Sequence, residues 1–491
     1  KHAPMDTSLD YSRELIIWLV ELLIQDPARL RELMMLIRSH PSNLTHFLMK
    51  LSTEQLMTLR KGAANLEFEN VAEDEKLKEK FKILCRVLAF SSNNYLRFFS
   101  RVVITRPELV THIDNIPYLN RVGELLWGEL SDGKDPQDLK KRLTTYYQFG
   151  FCRCGLEAFS KPGNLKTFYK MYHAFFRRYF RWLYRAAQWS VETQRKFNFE
   201  YRSQDEDDQP LAIFCTGGYA REEAFENDID LIIVCGDPDE DFLHYASMIV
   251  NEMNRELNRQ GVSPHHRFAE IFNSFVIPLA EMEKHFQRPR KNDFIEWAQL
   301  MGARQLVGSQ SYDRALTDII QRRVFRRPKR FIHSLLMEIA DRRESFSQSK
   351  SRPVNVKENP GGLRDIQTIL LACLALTGHR EPDTWKALNL LKQEISDLES
   401  EFNVLERVYK FFRTFKDIYY LSLSAEDDMI RDRLIQVSQR MGIETGDLMD
   451  NEGTAPRLVN SYRGHRYRSR QAIDVIGDYL MQRLRIEREK S

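Results

Sequence analysis

The sequence predicts an α+β protein that is predominantly helical, with a small sheet near the middle of the chain. Apolar residues recur at helical spacing from residue 12 to about 188, and again from about 384 to 485. Between these regions lie two short apolar runs, Leu211 to Cys215 and Ile229 to Val234, which suit buried strands. We therefore expect an N-terminal helical region over 1–195, a core with the sheet over 196–300 and a C-terminal helical region over 301–491.

Length and composition narrow the class of protein. A chain of 491 residues is long enough for two or three domains, and its formal net charge of +3 argues against a generic nucleic-acid-binding surface. The six cysteines form no Cys-x-x-Cys unit, so neither a disulfide framework nor a zinc site is indicated. No apolar stretch is long enough to cross a bilayer, and a reducing, cytoplasmic setting is expected. The chain begins at Lys1 rather than at methionine, which is compatible with its being part of a longer protein.

The two predicted strands flank a glycine turn and a pair of aspartates. Gly217 and Gly218 follow the first strand, and Asp228 and Asp230 open the second. Because side chains alternate along a strand, both carboxylates are expected on one face, where they repel unless a cation lies between them. Mg²⁺ binds carboxylate and phosphate oxygens, and glycines let the backbone approach a triphosphate. Either motif alone is more typical of an ordinary turn or a solvated strand end, but their order indicates a nucleotide site.

A second motif lies more than a hundred residues further along, in the segment NVKENPGGLRDIQT from Asn355 to Thr368. It predicts a loop that carries Lys357, a Pro-Gly-Gly turn and an apolar helix from about Leu363 to Leu376. The Lys357 ammonium could reach a phosphate. We expect Arg364 and Asp365 to form an ion pair that docks this helix onto the core.

Together, the two motifs resemble the nucleotidyltransferase core of the DNA polymerase β superfamily. The resemblance is closer to the bacterial glutamine synthetase adenylyltransferases and PII uridylyltransferases, which carry a Gly-rich segment, an Arg-Glu or Arg-x-Glu pair, Ser-Asp-Ile-Asp-Leu and Lys-x-Gly-Pro-Gly-Gly. Here Arg221, Glu222 and Glu223 follow the glycines, while Asn227 and Asn359 stand where Ser and Gly are usual. The resemblance implies a small mixed-sheet core of polymerase β type, flanked by helical bundles.

The resemblance also implies roles for individual residues. Two Mg²⁺ ions would be held by Asp228, Asp230 and Glu270, with Glu281 or Asp293 as alternatives because the families usually have Asp at the position of Glu270. Contacts to the nucleotide are implied for Gly217, Gly218, Arg221, Arg304 and Lys357. For Arg304, a helix-end arginine that faces solvent is an equally good interpretation.

The activity implied is transfer of a nucleoside monophosphate from ATP or UTP to a hydroxyl, with a tyrosine of a nitrogen-regulatory protein as the expected acceptor and reverse removal as a further reaction. The expected partners are a nucleoside triphosphate and a protein acceptor, without membrane or nucleic acid. Two alternatives stay open: a catalytically silent regulator that binds nucleotide, and a transferase acting on a small molecule or RNA.

The sequence also predicts the structure of three further segments. Phe242 to Leu257 is predicted to be a helix that covers the sheet. The run FFRRYFRWLYR from Phe175 to Arg185 is predicted to be an amphipathic helix that packs its aromatics and exposes its arginines, with a nucleic-acid surface as the alternative. The basic run from Gln321 to Arg330 is predicted to be a solvated linker, with contact to an acidic partner as the alternative.

Overall fold

A computed structural model describes the second part of the chain in most detail. The described residues are 143, 146, 147, 150, 154, 165–195, 211–223, 229–236, 240–259, 266–268, 276–287, 293–349, 354–422, 434, 437, 438, 441, 443 and 456–485. Most of the predicted N-terminal helical region lies outside them. The chain divides into two compact units, and nearly all described residues belong to the unit formed by 123–147, 165–419 and 426–491.

A mixed sheet of five short strands lies at the centre of this unit. The strands are β1 (Leu211–Cys215), β2 (Ile229–Cys235), β3 (His266–Phe268), β4 (Val276–Pro278) and β5 (Arg304–Val307). Strand β1 runs antiparallel to both β2 and β5, while β3 and β4 lie parallel to successive parts of β2. The fifth strand lies beyond residue 300, so the sheet draws on both the predicted core and the predicted C-terminal region.

Burial explains why the two apolar runs form the central strands. All five residues of β1 are buried, as are residues 231–235 of β2. A strand whose two faces are both buried is apolar along its length, rather than alternating between apolar and polar residues. The register pairs Cys215 with Leu231, which places the turn after β1 beside the start of β2.

Helices make up most of the described chain. They are α1 (Leu165–Arg195), α2 (Gly217–Ala220), α3 (Glu240–Arg259), α4 (Leu279–Gln287), α5 (Asp293–Met301), α6 (Gln310–Ile320), α7 (Lys329–Gln348), α8 (Leu363–Thr377), α9 (Thr384–Glu394), α10 (Glu399–Ser422) and α11 (Pro456–Leu484). The predicted class, α+β and predominantly helical with a small mixed sheet, is confirmed.

Helix α8 is the centre of the C-terminal helices. It packs against α7, α9 and α11, and ten of its fifteen residues are buried. Gly378 ends it in the left-handed conformation, with φ of 75°, as is common at helix C-termini. The predicted helix from Leu363 to Leu376 is therefore confirmed to within one residue.

Helix α3 confirms the prediction for Phe242 to Leu257. Phe242, Tyr245, Ile249 and Met253 are all buried along one side of the helix. The helix contacts α1, β3 and β4, so this apolar side covers part of the sheet.

Helix α1 has the predicted amphipathic character. Phe175, Phe176, Tyr179 and Phe180 are buried, whereas Arg178 and Arg181 are exposed. These aromatic rings pack against neighbouring aromatic rings inside the fold. They are therefore not exposed to stack on bases, as the alternative of a nucleic-acid surface would require.

The prediction of a linker from Gln321 to Arg330 is wrong. Residues Gln321–Phe325 form a π-helical continuation of α6, and α7 begins at Lys329. Val324 and Phe325 are buried, and Arg323 forms an ion pair with Glu283 of α4 at 2.9 Å. The apolar pair inside the basic run holds this segment against the fold. In the described part of the chain, no helix is both long and apolar enough to span a bilayer.

Candidate nucleotide-binding site

A cavity of about 360 Å³ brings the two sequence motifs together. This is within the size range of small-molecule sites, ~300–1,000 Å³. Its wall is formed by the turn after β1, by β2 and by parts of α5, α7, α8, α9 and α10. Among the residues with predicted roles, those that line it are Gly217, Gly218, Arg221, Asp230 and Lys357.

The glycine turn lies directly beside Asp230. The Thr216 N–H donates to the Asp230 carbonyl at 2.9 Å, which fixes the end of β1 to the start of β2. Gly217 has φ of 66°, a left-handed conformation that glycine adopts without strain. A Cβ built on Gly217 would lie 3.6 Å from Oδ2 of Asp230, so the carboxylate faces this glycine.

Thr216 is a further residue of the turn, and sequence reasoning missed it. Its hydroxyl is buried, lines the cavity region and has no hydrogen-bond partner among the described residues. A buried hydroxyl without a partner is costly. The signal available in the sequence was its position immediately before Gly217-Gly218.

Of the predicted metal ligands, the structure describes only Asp230. Asp228 and Glu270 lie outside the described residues. Glu281, an alternative to Glu270, is exposed and bonded to Lys284, and it does not line the cavity. The side chain of Asp293, the other alternative, lies outside what the structure describes. Within the described ranges, no group of three His, Cys, Asp or Glu side chains is arranged to hold a metal. Since Mg²⁺ is commonly bound by one or two carboxylates plus substrate phosphates, an Asp230 carboxylate that faces a glycine turn suits such an ion.

Arg221 and Arg304, both predicted to contact nucleotide, have different surroundings. Arg221 lines the cavity, and its Nε donates to Oε2 of the buried Glu223 at 3.0 Å. Arg304 does not line the cavity and forms an ion pair with Glu222. Its interpretation as a solvent-facing residue at a helix end is wrong, because α5 ends at Met301 and Arg304 begins β5 with 18% of its side chain exposed.

The loop that carries Lys357 is tightly built. The Asn355 side chain accepts from the N–H groups of Lys357 and Glu358 at 3.0 and 2.8 Å, and Asn359 donates to the Tyr462 hydroxyl at 2.8 Å. Asn359, which replaces the usual Gly, therefore anchors this loop to α11. Lys357 lines the cavity with 33% of its side chain exposed.

Both glycines of the Pro-Gly-Gly turn are required by close approach of backbone. Gly361 has φ of 79°, and a Cβ there would lie 2.6 Å from the Arg466 carbonyl. At Gly362 a Cβ would lie 2.6 Å from the Val356 carbonyl. The turn thus seats the loop between α8 and α11 with no room for a side chain.

The ion pair predicted between Arg364 and Asp365 is wrong. Neighbours on a helix point in different directions, and each residue has a partner elsewhere. Arg364 bonds Glu358 at 2.9 Å, while the buried Asp365 bonds Arg342 of α7 at 2.8 Å. Asp365 also accepts from the Gly361 N–H at 2.7 Å. It is therefore Asp365 with Arg342 that fixes α8 to α7 and to the Pro-Gly-Gly turn.

Helix α10 adds two cations that sequence reasoning missed. Arg413 and Lys416 line the cavity although only 4% and 3% of their surfaces are exposed. Arg413 forms an ion pair with Asp417 at 3.0 Å and also donates to the Glu223 carbonyl. The signal available in the sequence was a charged trio within the aromatic-rich stretch FFRTFKDIY.

The cavity wall as a whole carries more basic than acidic side chains. It contains five basic side chains and three acidic ones, which favours a polyanionic ligand. The basic side chains are Arg221, Lys357, Arg364, Arg413 and Lys416.

Two ionisable groups beneath the turn are held neutral. Burial, together with the nearby charges of Arg304 and Arg177, lowers the pKa of His173 to about 3. Its ring lies 4.3 Å from that of Tyr219, centroid to centroid, and so supports α2 from below. Burial raises the pKa of the Cys215 thiol to about 12, so this cysteine is not a thiolate nucleophile at neutral pH.

Comparison with known proteins agrees with the motifs. Residues 330–473 match the family described as GlnD PII-uridylyltransferase. Among curated proteins, the chain is similar to the bifunctional uridylyltransferase/uridylyl-removing enzymes of Pseudomonas aeruginosa strains PAO1 and LESB58. Identity to each is 24% over 282 residues, which is 56% of this chain and 28% of each relative.

The family match begins at α7 and includes the Lys357 loop, α8, α9 and the cations of α10. It therefore covers the C-terminal half of the cavity wall, whereas the Gly217-Gly218 and Asp230 motif lies ahead of it. Motifs, matched region and relatives point to the same group of proteins, and the chain is similar in sequence to the PII uridylyltransferases over these regions.

Proposed function

We propose that the chain transfers a nucleoside monophosphate from a nucleoside triphosphate, with UTP as the donor, to a hydroxyl of a protein of the PII type. One observation carries the proposal: Asp230 and the glycine turn share a single cavity with Lys357, although the two motifs are separated by more than a hundred residues. UTP is favoured over ATP because the family description and the relatives' names both specify uridylyl transfer.

The cavity wall offers groups suited to each part of the donor. The backbone of Gly217 and Gly218 and the side chains of Arg221 and Lys357 would bind the triphosphate. Apolar residues line the remaining wall and would take the base and ribose. They include Ile295, Ala298, Leu371, Leu374, Pro382 and Ala387.

In the proposed reaction, the acceptor oxygen attacks the α-phosphorus and the bond from that phosphorus to the bridging oxygen breaks. Pyrophosphate leaves, and the hydroxyl proton is lost to solvent. Mg²⁺, held by Asp230 with Asp228, would neutralise charge on the phosphates. The chain's own part is to position the donor and to place cations around the charge that develops, as in other phosphoryl-type transfers. Reverse removal is part of the proposal as a further reaction, since the relatives are named as bifunctional.

The test compares the wild type with Asp230→Asn in thermal unfolding with UTP, ATP, CTP or GTP, each with and without Mg²⁺. A ligand at a hundred times its Kd stabilises a protein by about 2.7 kcal/mol. We expect a Mg²⁺-dependent shift with UTP that Asp230→Asn abolishes. The control is Asp318→Asn, which changes an exposed carboxylate of α6 away from the cavity.

Transfer itself is measured with UTP labelled at the α-phosphate and a PII-type protein as the acceptor. Label should enter the acceptor with wild type and Asp318→Asn but not with Asp230→Asn. Binding of UTP without any labelling would favour the silent regulator. Full transfer by Asp230→Asn would refute the proposed site.

A further inference from the structure

Glu223 is a buried carboxylate in the turn that follows α2. Only 1% of its side chain is exposed. It does not line the cavity, yet it lies two residues from Arg221, which does. A buried carboxylate needs several hydrogen-bond donors to offset the loss of its hydration.

The donors to Glu223 come from four separate places in the chain. Oε2 accepts from Nε of Arg221 and from Nε2 of Gln367, each at 3.0 Å. Oε1 accepts from the Thr384 hydroxyl, and the Glu223 carbonyl accepts from Nη2 of Arg413. Gln367 lies on α8, Thr384 on α9 and Arg413 on α10, so one residue joins the glycine turn to three helices.

These donors share a second property, which sets this network apart from an ordinary core contact. All of them line the cavity, although Glu223 does not. They are Arg221, Gln367, Thr384 and Arg413. The carboxylate therefore lies behind the wall and fixes the direction of the polar groups that form it.

Charge strengthens this arrangement. Arg221 pairs with Glu223, and Arg413 pairs with Asp417 while donating to the Glu223 carbonyl. Hydrogen bonds to charged groups are shorter and stronger than neutral ones, and a network in a low dielectric is stronger than its separate parts. Without the carboxylate, the Arg221 side chain would lose the ion pair that orients it. Helices α8 and α9 would each lose a hydrogen bond to the turn.

We infer that Glu223 is a positioning residue: it couples the glycine turn to helices α8, α9 and α10, and so holds Arg221 and Arg413 in place for the phosphates of the donor. The inference rests on the proposed nucleotide site. It adds that the region matching the uridylyltransferase family and the Gly217-Gly218 motif act as one rigid wall.

The main variant is Glu223→Gln, which keeps the size of the side chain but removes its charge and one acceptor. The matched control is Glu252→Gln on α3. Glu252 is also buried, accepts from Ser190 at 3.3 Å and pairs with Arg255, but neither of these partners lines the cavity. A second variant, Thr384→Val, removes one donor without changing any charge.

The first measurement is calorimetric titration with Mg²⁺ and UTP. We expect Glu223→Gln to raise the Kd by roughly tenfold to a hundredfold, as when other partners that orient binding groups are changed. Thr384→Val should give a smaller rise and Glu252→Gln none. In transfer assays, Glu223→Gln should raise KM for UTP more than it lowers kcat, a split that mere loss of folded protein would not produce.

The second measurement needs no nucleotide: hydrogen exchange of the unliganded protein. Glu223→Gln should raise amide exchange both in 211–223 and in 363–417, whereas Glu252→Gln should raise it only near α3. Unchanged exchange in 363–417 would overturn the coupling, even if UTP binds. If the wild type fails to bind UTP while exchange rises in both segments, the coupling stands and the proposed function fails.

Discussion

The carboxylate of Asp230 faces Gly217, with 3.6 Å between Oδ2 and the place where a Cβ would lie. The glycine turn and the Asp230 carboxylate therefore face each other across a narrow gap. A phosphate bound to the turn would lie in this gap, so a methyl group there should interfere with binding.

Gly217→Ala tests this gap. The left-handed φ of 66° should cost about 1 kcal/mol of stability, and the methyl should weaken UTP binding in addition. The matched control is Gly378→Ala, which has φ of 75° and no atom within 4 Å of the added methyl. Urea unfolding should show similar losses of stability for both variants, whereas calorimetry should show weaker UTP binding only for Gly217→Ala.

Glu222 adopts a left-handed φ of 56°, which glycine would adopt without strain. Glu222→Gly and Glu222→Ala both remove the ion pair with Arg304, but only glycine relieves the backbone. We expect Glu222→Gly to be more stable than Glu222→Ala by about 1 kcal/mol, measured by urea unfolding. Equal stability of the two variants would contradict the backbone assignment.

Asp365→Asn should destabilise the C-terminal helices. The change removes the charge that pairs with Arg342, of which 15% is exposed, and removes an acceptor for either Arg342 or the Gly361 N–H. Breaking a buried pair costs about 3 kcal/mol or more. The urea midpoint should fall clearly for Asp365→Asn and hardly at all for Arg364→Gln, whose ion pair is exposed.

His173 should make the fold sensitive to acid. Its pKa in the folded protein is about 3, below the ordinary value of 6.5, so the unfolded chain binds the proton more tightly. Stability is therefore unaffected well above pH 6.5 and falls as the pH drops from 6.5 toward 3. Between pH 7 and pH 5 the wild type should lose about 2 kcal/mol more than His173→Phe. Parallel urea midpoints for the two proteins across this range would contradict the assignment.

Local chemistry explains which elements could be predicted from the sequence. Strand β1 is apolar throughout and β2 is apolar apart from Asp230, the glycine turn separates them, and α8 has a long buried face, so each leaves a strong local pattern. The same holds for the aromatic side of α1. The joining of Asp230 and Lys357 in one cavity followed from family resemblance rather than from any local pattern.

The pairing of charged side chains could not be predicted in the same way. Arg364 and Asp365 are adjacent in sequence, but the helix turns them apart, and only the packing of α7 supplies Arg342. The linker prediction for Gln321 to Arg330 gave weight to the charges and overlooked Val324 and Phe325. Glu223 looked like one acid among several because three of its four donors lie 144 to 190 residues further along the chain.

The wall that Glu223 organises also limits how the chain can be divided. A fragment that ends near residue 300, after the aspartate motif, would keep Asp230 and Gly217 but lose β5, the Lys357 loop and both α10 cations. It would also expose a carboxylate whose donors on α8, α9 and α10 are gone. A shortened protein that retains the site therefore has to extend from at least β1 through α10.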